Sequence, residues 1–261
     1  MSAEDIMITM FCKIDDNMTG IPKHPQASLH PGEIVTLACL FVLKGSGTRA
    51  FSRRIQGDRA PLFPRRPRRT RLFRLLATHW ERSERLLADP AMFGVIDADG
   101  IEFIHPIREG RRDRPIGQKG ISNHRGMVGG KLCLLLNKWG LAAGWDCETA
   151  NGSDLAFQPL IQAVEDRMIA FSETGFHAQE GAPLKLKFCP KGRWNDRMLI
   201  ETVLSMLTAA RRFKRMRPCA WSAVKARLAF GTGLFNLLVE WHGRALDETG
   251  FFKLSMAEFS L

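Results

Sequence analysis

The chain lacks several patterns that would assign it to a common kind of site. Its six cysteines form no Cys-x-x-Cys pair, and none has a histidine at zinc-ligand spacing, which argues against a structural zinc site. No Gly-x-x-x-x-Gly-Lys-Ser/Thr sequence occurs, so a nucleotide-hydrolysing phosphate loop has little support. Tyrosine is absent although Phe occurs 17 times, and the sequence offers no physical reason for this.

Long apolar runs are missing as well. The longest runs from Ile34 to Leu43 and contains Thr36, whereas a membrane-spanning helix needs about 20 apolar residues. The first residues, MSAEDIMITMF, carry acids where a secretion signal carries positive charge. The sequence therefore predicts a cytoplasmic protein.

Acidic residues are outnumbered, with 27 Asp and Glu against 38 Lys and Arg and a net charge of +11. The excess is concentrated between Arg49 and Arg74, where ten arginines accompany one acid and Phe51, Phe63 and Phe73 are interleaved. The planar guanidinium group suits phosphate. Phenylalanines among the arginines indicate a folded, one-sided surface, which favours contact with a DNA backbone. An evenly solvated basic surface is the plain alternative.

The N-terminal region, to about residue 90, reads as helical. A short helix is expected in the first 20 residues, and Gly32 to Leu43 fits a buried helix, although periodicity alone leaves a strand open. Three prolines divide the arginine-rich stretch into two short helices around an extended middle. Leu72 to Leu87 has the apolar stripe of an amphipathic helix.

From about Pro90 the pattern changes to strands. Phe93 to Phe103 is an apolar run that delivers Asp97 and Asp99, and it is followed by a basic loop from Arg108 to Arg125. The remaining elements are, in order, a strand pair Met127–Leu136 and Leu141–Thr149, a helix Ser153–Asp166, a short strand ending at Glu173, a strand Leu184–Phe188 and the helices Asn195–Phe213 and Trp221–Trp241.

Three strands, a helix, a strand and then helices predict an α/β fold with a mixed sheet covered by helices. This is the strand order of the ribonuclease H-like fold, in which the first and fourth strands lie side by side. Acids at the ends of those two strands would converge.

Three carboxylates are the candidate catalytic residues. Asp97 and Glu173 end neighbouring strands, and Glu201 lies in a helical pattern beside the apolar stripe of Ile200, Val203 and Leu204. Three acids held together require a cation, and hard oxygen ligands suit Mg²⁺ or Mn²⁺. Two such ions catalyse phosphodiester cleavage and strand transfer.

Simpler interpretations compete with this site. Glu201 has Arg197 four residues before it and could form an ordinary helix ion pair, and Glu173 could be a strand-end acid that meets solvent. Other acids also lie at strand ends or in loops near the proposed cleft: Asp99, Asp146, Glu148 and Asp154.

The chain resembles the DDE-class transposases of bacterial insertion sequences nearly end to end. The blocks that carry the likeness are FCKIDDNM, FPRRPRRTRLFRLL, VIDADGIEFIHPIREGR, NHRGMVGGKLC and RMLIETVLSML. In that family the first acid follows an apolar strand, which corresponds to Asp97. The second stands in a D-x-G-Y/F signature, matched by Glu173 to Phe176, and the third in a Y-x-x-R-x-x-x-E signature, matched by Trp194, Arg197 and Glu201.

Two of these positions depart from the family. Its members use Asp where this chain has Glu173, and Tyr is common where it has Trp194. The extra methylene of Glu displaces the carboxylate by about 1.5 Å, and misplacements near 1 Å can cost ~10²-fold in rate. A degenerate copy with impaired catalysis is therefore one expectation.

The resemblance implies a metal-dependent DNA transposase with a DNA-binding region at residues 1–90 and a ribonuclease H-like catalytic domain at 91–261. Asp97, Glu173 and Glu201 would ligate two Mg²⁺ or Mn²⁺ ions. The partners would be the terminal inverted repeats and a target duplex, bound by a homodimer at the nucleoid. The residues expected to contact DNA are Arg53, Arg54, Arg65, Arg66, Arg68, Arg69, Arg71, Arg197, Arg211, Arg212 and Lys214. The alternatives are a catalytically inactive DNA-binding remnant and a stand-alone nuclease of the same fold.

Overall fold

The structure is a computed structural model, and it describes residues 2–57, 59–104, 116–122, 125–176, 183–188, 200–205 and 220–243. The chain divides into two compact units. We call them the helical unit, formed by Met1–Leu86 with Ser222–Trp241, and the sheet unit, formed by Leu87–Trp221. Each is described separately below.

The helical unit contains five α-helices and two 3-10 helices among the residues described. Helix α1 begins at a capping box, in which the Ser2 hydroxyl accepts a hydrogen bond from the Asp5 amide at 3.1 Å. Helix α2 begins with a proline and ends at Gly45, whose φ of 60° is left-handed. The helices are α1 (Ala3–Asn17), α2 (Pro31–Lys44), α3 (Thr48–Gln56), α4 (Arg69–Thr78) and α7 (Trp221–His242), and the 3-10 helices are Ala60–Leu62 and Trp80–Leu86.

Helix α2 is the core of this unit, and the expectation of a buried helix is confirmed. Ten of its residues are buried, so burial on most sides, rather than amphipathic periodicity, explains its apolar sequence. Among the described residues, no single helix has the length and apolar character needed to cross a membrane; only α2 and α3 taken together, bent by 120°, meet that test on length and composition.

Phenylalanines from three helices form a ring cluster in the helical unit. The Phe41 ring lies 5.2 Å from that of Phe51 and 4.9 Å from that of Phe73, both in edge-to-face geometry. Phe63 is also buried, with 4% of its surface exposed. The phenylalanines of the arginine-rich stretch thus anchor α3 and α4 on α2, and seven of its ten arginines are exposed. This confirms that the stretch is folded and one-sided.

Helix α7 completes the helical unit, although its sequence lies more than 130 residues beyond α4. The Lys225 ammonium lies 4.2 Å from the Trp80 ring centre, and the Arg227 guanidinium lies 5.3 Å from the Phe41 ring centre. The sequence predicts a catalytic domain that includes every residue after 90. The structure instead groups Ser222–Trp241 with the N-terminal helices.

The amide of Asn236 ties α7 to the end of the second 3-10 helix. Its Nδ2 donates to the Leu86 carbonyl at 3.0 Å, and both groups are buried. We expect Asn236→Ala to lower the free energy of unfolding by about 1–3 kcal/mol, because the Leu86 carbonyl loses its donor while remaining out of water. Ser222→Ala, on an exposed position of the same helix, should stay within about 0.5 kcal/mol. Equal denaturation midpoints for the two variants would contradict this reading.

The sheet unit is built on a six-stranded mixed sheet. Strand β1 is central and pairs with β3 antiparallel on one side and with β5 parallel on the other, and β6 extends the sheet parallel to β5. Along the far edge of β3, β2 pairs with its first half and β4 with its second half. The strands are β1 (Phe93–Ile104), β2 (Gln118–Ser122), β3 (Arg125–Asn137), β4 (Ala142–Thr149), β5 (Ile169–Ser172) and β6 (Leu186–Phe188).

One face of the sheet, which we call the α5 face, packs on the short helix α5 (Gln158–Gln162). A 3-10 turn, Asp154–Phe157, precedes α5, and the hydroxyl of Ser153 caps it by accepting from the Leu155 amide at 3.3 Å. The core residues between sheet and helix include Ile96, Cys133, Leu135, Phe157, Ile161 and Ala170. The opposite face carries Asp97, and we call it the Asp97 face.

The predicted mixed α/β architecture is confirmed, with three local corrections. The basic loop expected from Arg108 to Arg125 contains strand β2, which has little apolar content and is held by its pairing with β3. The helix expected from Leu72 to Leu87 ends at Thr78 and continues as 3-10 turns. The helix expected from Ser153 to Asp166 shortens to a 3-10 turn and the single helical turn of α5.

Candidate active site

Asp97 lies in the middle of the central strand. It is half-buried and sits opposite Leu134 of β3, a residue with no exposed surface. Leu132, two positions along β3, is equally buried and lies on the same face. A half-buried carboxylate opposite buried leucines costs desolvation free energy, which is offset in part by the hydrogen bond that its Oδ1 accepts from the Ala98 amide at 2.8 Å.

Glu173 directly follows β5, the parallel neighbour of β1. The last registered pair is Val95 with Phe171, so Asp97 lies two residues beyond it on β1, and Glu173 lies two residues beyond it along the chain, directly after β5. Side chains two apart point to the same face. Contact between the rings of Phe93 and Phe171, whose centres are 6.1 Å apart, shows that these odd-numbered positions share the Asp97 face. Both predicted acids therefore follow the same registered pair of adjacent parallel strands, and their meeting stays a prediction.

Glu201 lies in a helical segment at residues 200–205, α6, whose ends are outside the described residues. Ile200, Val203 and Leu204 are buried and Glu201 is exposed, which confirms the predicted apolar stripe with the acid beside it. The competing ion pair with Arg197 cannot be compared, since Arg197 lies outside the described residues, as does Trp194.

In the described part of the chain, no three His, Cys, Asp or Glu side chains are grouped so that they could hold a metal ion. The meeting of three carboxylates therefore stays a prediction. Two of these acids belong to adjacent parallel strands, Asp97 within β1 and Glu173 directly after β5. Carboxylate oxygens in such a pair are the donors that Mg²⁺ and Mn²⁺ prefer, so the residues present fit an ion of this type.

Most of the competing acids lie on the α5 face. The Lys131 ammonium donates to Asp154 at 2.9 Å and to the Gly152 carbonyl at 2.9 Å, so a cation already compensates Asp154. Glu148 and Asp146 lie opposite Lys131 and Cys133 in the β3–β4 register, on the same face. Asp99 alone shares a face with Asp97, two residues further along β1.

The pKa of the Cys133 thiol depends on its burial and on the negative charges around it. Burial raises the pKa of its thiol well above the ordinary value, and the negative charges of Asp97, Asp154 and Asp146 add to the effect. The thiol is therefore protonated at neutral pH and unreactive. Cys39 and Cys147 are buried as well, whereas Cys12 is exposed.

The arginines predicted to contact DNA are displayed on the helical unit as far as it is described. The ones on the outer surface are Arg53, Arg65, Arg68, Arg69 and Arg71, whereas Arg54 and Arg66 are half-buried. Arg66 donates to the Phe63 carbonyl at 3.1 Å. Among described residues, the only ion pair from this stretch joins Arg59 to Glu4 at 3.8 Å. Arg197, Arg211, Arg212 and Lys214 lie outside the described residues.

Sequence reasoning missed a group of cations that comes together beside α4. Lys23, His24, His79 and Arg82 line one small cavity with Arg71, and only Arg71 was singled out from the sequence. The others stand alone in their local sequence, and their separation by more than 50 residues leaves no spacing signal to find.

Comparisons with known proteins assign no family to the chain. No family model matches it, and no curated protein matches it significantly.

Proposed function

We propose that the protein is a DNA transposase of the DDE class, which cleaves DNA strands and joins them to a target. The single observation that supports the proposal is the parallel pairing of β1 with β5, whose last pair, Val95 with Phe171, precedes Asp97 and Glu173 by two residues each. The sequence blocks resembling that family supply the reaction class, since two adjacent acids alone fit many metal sites.

The strand order supports the finer proposal of a ribonuclease H-like catalytic domain. That fold needs a central first strand with an antiparallel neighbour on one side and a parallel one on the other. The described sheet has this arrangement, with β3 and then β4 antiparallel on one side and β5 and then β6 parallel on the other. The extra strand β2 occupies the free half of the β3 edge.

Each group of residues has a part in the proposed reaction. Asp97 and Glu173, with Glu201 as the proposed third ligand, would hold two divalent cations, Mg²⁺ or Mn²⁺. When bound, such ions activate a water or a 3′-hydroxyl and stabilise the departing oxygen. The exposed arginines of α3 and α4 would bind backbone phosphates and fix the DNA in register. Two DNA ends require two active sites, hence a homodimer on DNA, which we propose acts at the nucleoid in the cytoplasm.

The proposal is tested with a plasmid that carries the reading frame and its flanking genomic DNA, in which the terminal repeats would lie. Purified protein and Mg²⁺ should nick this plasmid at the element ends and, with a target plasmid, form joined products. EDTA should stop both reactions. Absence of end-specific nicking by the wild type and by the Glu173→Asp variant would overturn the catalytic proposal.

We expect Glu173→Asp to raise the nicking rate by up to ~10²-fold. The shorter side chain withdraws the carboxylate by about one bond, towards the position that Asp occupies in the resembling family, and rates depend on such distances. The matched control is Glu148→Asp, the same shortening on the α5 face, which should leave the rate unchanged. A rate that falls in Glu173→Asp would show that the longer acid is the one this site uses.

A catalytically inactive DNA-binding protein is the second candidate, favoured by the glutamate at position 173 and by the exposed arginines. It predicts salt-sensitive DNA binding with no cleavage in any variant. A stand-alone nuclease of the same fold would cleave DNA without joining it to the target plasmid. The joined product therefore separates the transposase from both alternatives.

A further inference from the structure

The helical unit contains a small cavity whose polar lining is entirely basic or neutral. Its volume is about 90 Å³, and because a single water needs only about 10–15 Å³, it has room for a group of several non-hydrogen atoms. Leu29, Ile34 and Leu75 form its apolar wall. Its charged and titratable residues come from three places: Lys23 and His24 before α2, Arg71 on α4, and His79 and Arg82 after it.

No acid lines this cavity, so its cations are not compensated from within. Among the described residues, neither Arg71 nor Arg82 forms an ion pair with any carboxylate. Burial lowers the pKa of Arg82, and burial followed by the charge of Arg82 lowers that of His79, with Glu81 opposing. Cations gathered in a partly desolvated space repel one another, and an anion among them would relieve that repulsion.

Two buried polar atoms of the cavity residues also have no hydrogen-bond partner among the described residues. They are Nη1 of Arg82 and Oγ of Ser28, and both residues line the cavity. A buried donor without an acceptor is costly and rare in folded proteins. Both atoms can donate to an oxygen, and an oxyanion in the cavity would supply an acceptor.

We propose that this cavity binds a phosphate group, held by Arg82, Arg71 and Lys23 with hydrogen bonds from Ser28 and His79. The arginine fork and the lysine point charge are both suited to phosphate oxygens. The shared chemistry is a phosphate mono- or diester, which includes a backbone phosphate of DNA as well as free phosphate compounds. The proposal does not depend on catalysis by the sheet unit.

The first test titrates the full-length protein with inorganic phosphate in a calorimeter. Saturable binding is expected in the wild type, and Arg82→Gln should weaken it roughly 10- to 100-fold, since charge-assisted hydrogen bonds are lost. The matched control is Arg85→Gln, an exposed arginine of the same 3-10 helix that does not line the cavity; it should bind as the wild type does. Equal affinities for the two variants, or no saturation at millimolar phosphate, would overturn the proposal.

A second variant covers the case in which Arg82→Gln does not fold. Ser28→Ala removes a buried hydroxyl that has no partner in the empty cavity. We therefore expect it to raise the melting temperature of the phosphate-free protein while weakening phosphate binding about two- to tenfold. A hydroxyl with a purely structural role would give lower stability and unchanged phosphate affinity, which contradicts the proposal.

Competition with DNA identifies the source of the phosphate. If a short duplex displaces inorganic phosphate and its own binding weakens in Arg82→Gln but not in Arg85→Gln, the ligand is a backbone phosphate. If phosphate binds in an Arg82-dependent way and the duplex does not displace it, the ligand is a free phosphate compound. Both results support the site, and neither requires the protein to cleave DNA.

Discussion

Asp97→Asn should abolish metal-dependent nicking, with a loss of roughly 10³-fold or more. An asparagine has the size of aspartate but no negative charge, and a metal-bound site supplies several kcal/mol of transition-state stabilisation, about one factor of ten for each 1.36 kcal/mol. The rate is measured on the plasmid with flanking DNA under saturating Mg²⁺. Stability should not fall, because the substitution removes a charge that lies opposite the buried Leu134.

The control for this prediction is Asp99→Asn, two residues along the same strand and on the same face. Asp99 lies opposite Leu132, two residues beyond Asp97 and further from the last pair of β1 with β5. Its variant should therefore keep activity within about threefold of wild type, below the tenfold loss that 1.36 kcal/mol would cause. A larger loss in Asp99→Asn than in Asp97→Asn would reassign the first acid. Comparable activity in both variants and the wild type would remove this carboxylate pair from the reaction.

Gly129→Ala should destabilise the sheet unit by about 3 kcal/mol or more, at the upper end of what overpacking costs. A Cβ at this position would collide with the backbone carbonyl oxygen of Ile101 on β1 and lie 3.1 Å from the amide nitrogen of Phe103. Neither atom can move away from the added Cβ without breaking the pairing of β1 with β3. In addition, the register of this pairing already shifts between Glu102 and Ile104. A lower denaturation midpoint and weaker sheet circular dichroism are the expected measurements.

Gly126→Ala is the matched control on the same strand. A Cβ there would meet no atom within 4 Å, and alanine has less backbone freedom to lose on folding than glycine. We therefore expect no loss of stability, and a gain of up to about 1 kcal/mol. If both alanine variants unfolded alike, the cause would be a general intolerance of β3 and not the close approach at Gly129.

The central strand could be predicted from the sequence because local pattern and fold agree there. An apolar run that ends on acids is typical of a buried strand facing a cleft, and Phe93–Ile104 forms one. Strand β2 could not be predicted in this way, since QKGIS has neither alternation nor a β-branched run. Its five residues are in a strand because the first half of β3 offers an unpaired edge.

Local sequence patterns also could not predict the contacts between distant parts of the chain. Helix α7 was predicted as a helix, but its place against Phe41 and Leu86 depends on shape and burial. The cavity beside α4 likewise joins Lys23 to Arg82, which no motif spacing relates. The pairing of β1 with β5, in contrast, followed from the expected strand order, and the register shows that its last pair precedes Asp97 and Glu173 by two residues each.

The place of α7 in the helical unit bears on how the protein is made. A ribosome releases the N-terminal helices first, yet the partner of Leu86 and the cation over Phe41 both belong to residues 222–241. Part of the apolar surface of the N-terminal helices therefore stays uncovered until residues 222–241 have been synthesised. Chaperone dependence during translation, and insolubility of a fragment that stops at residue 90, are the practical consequences.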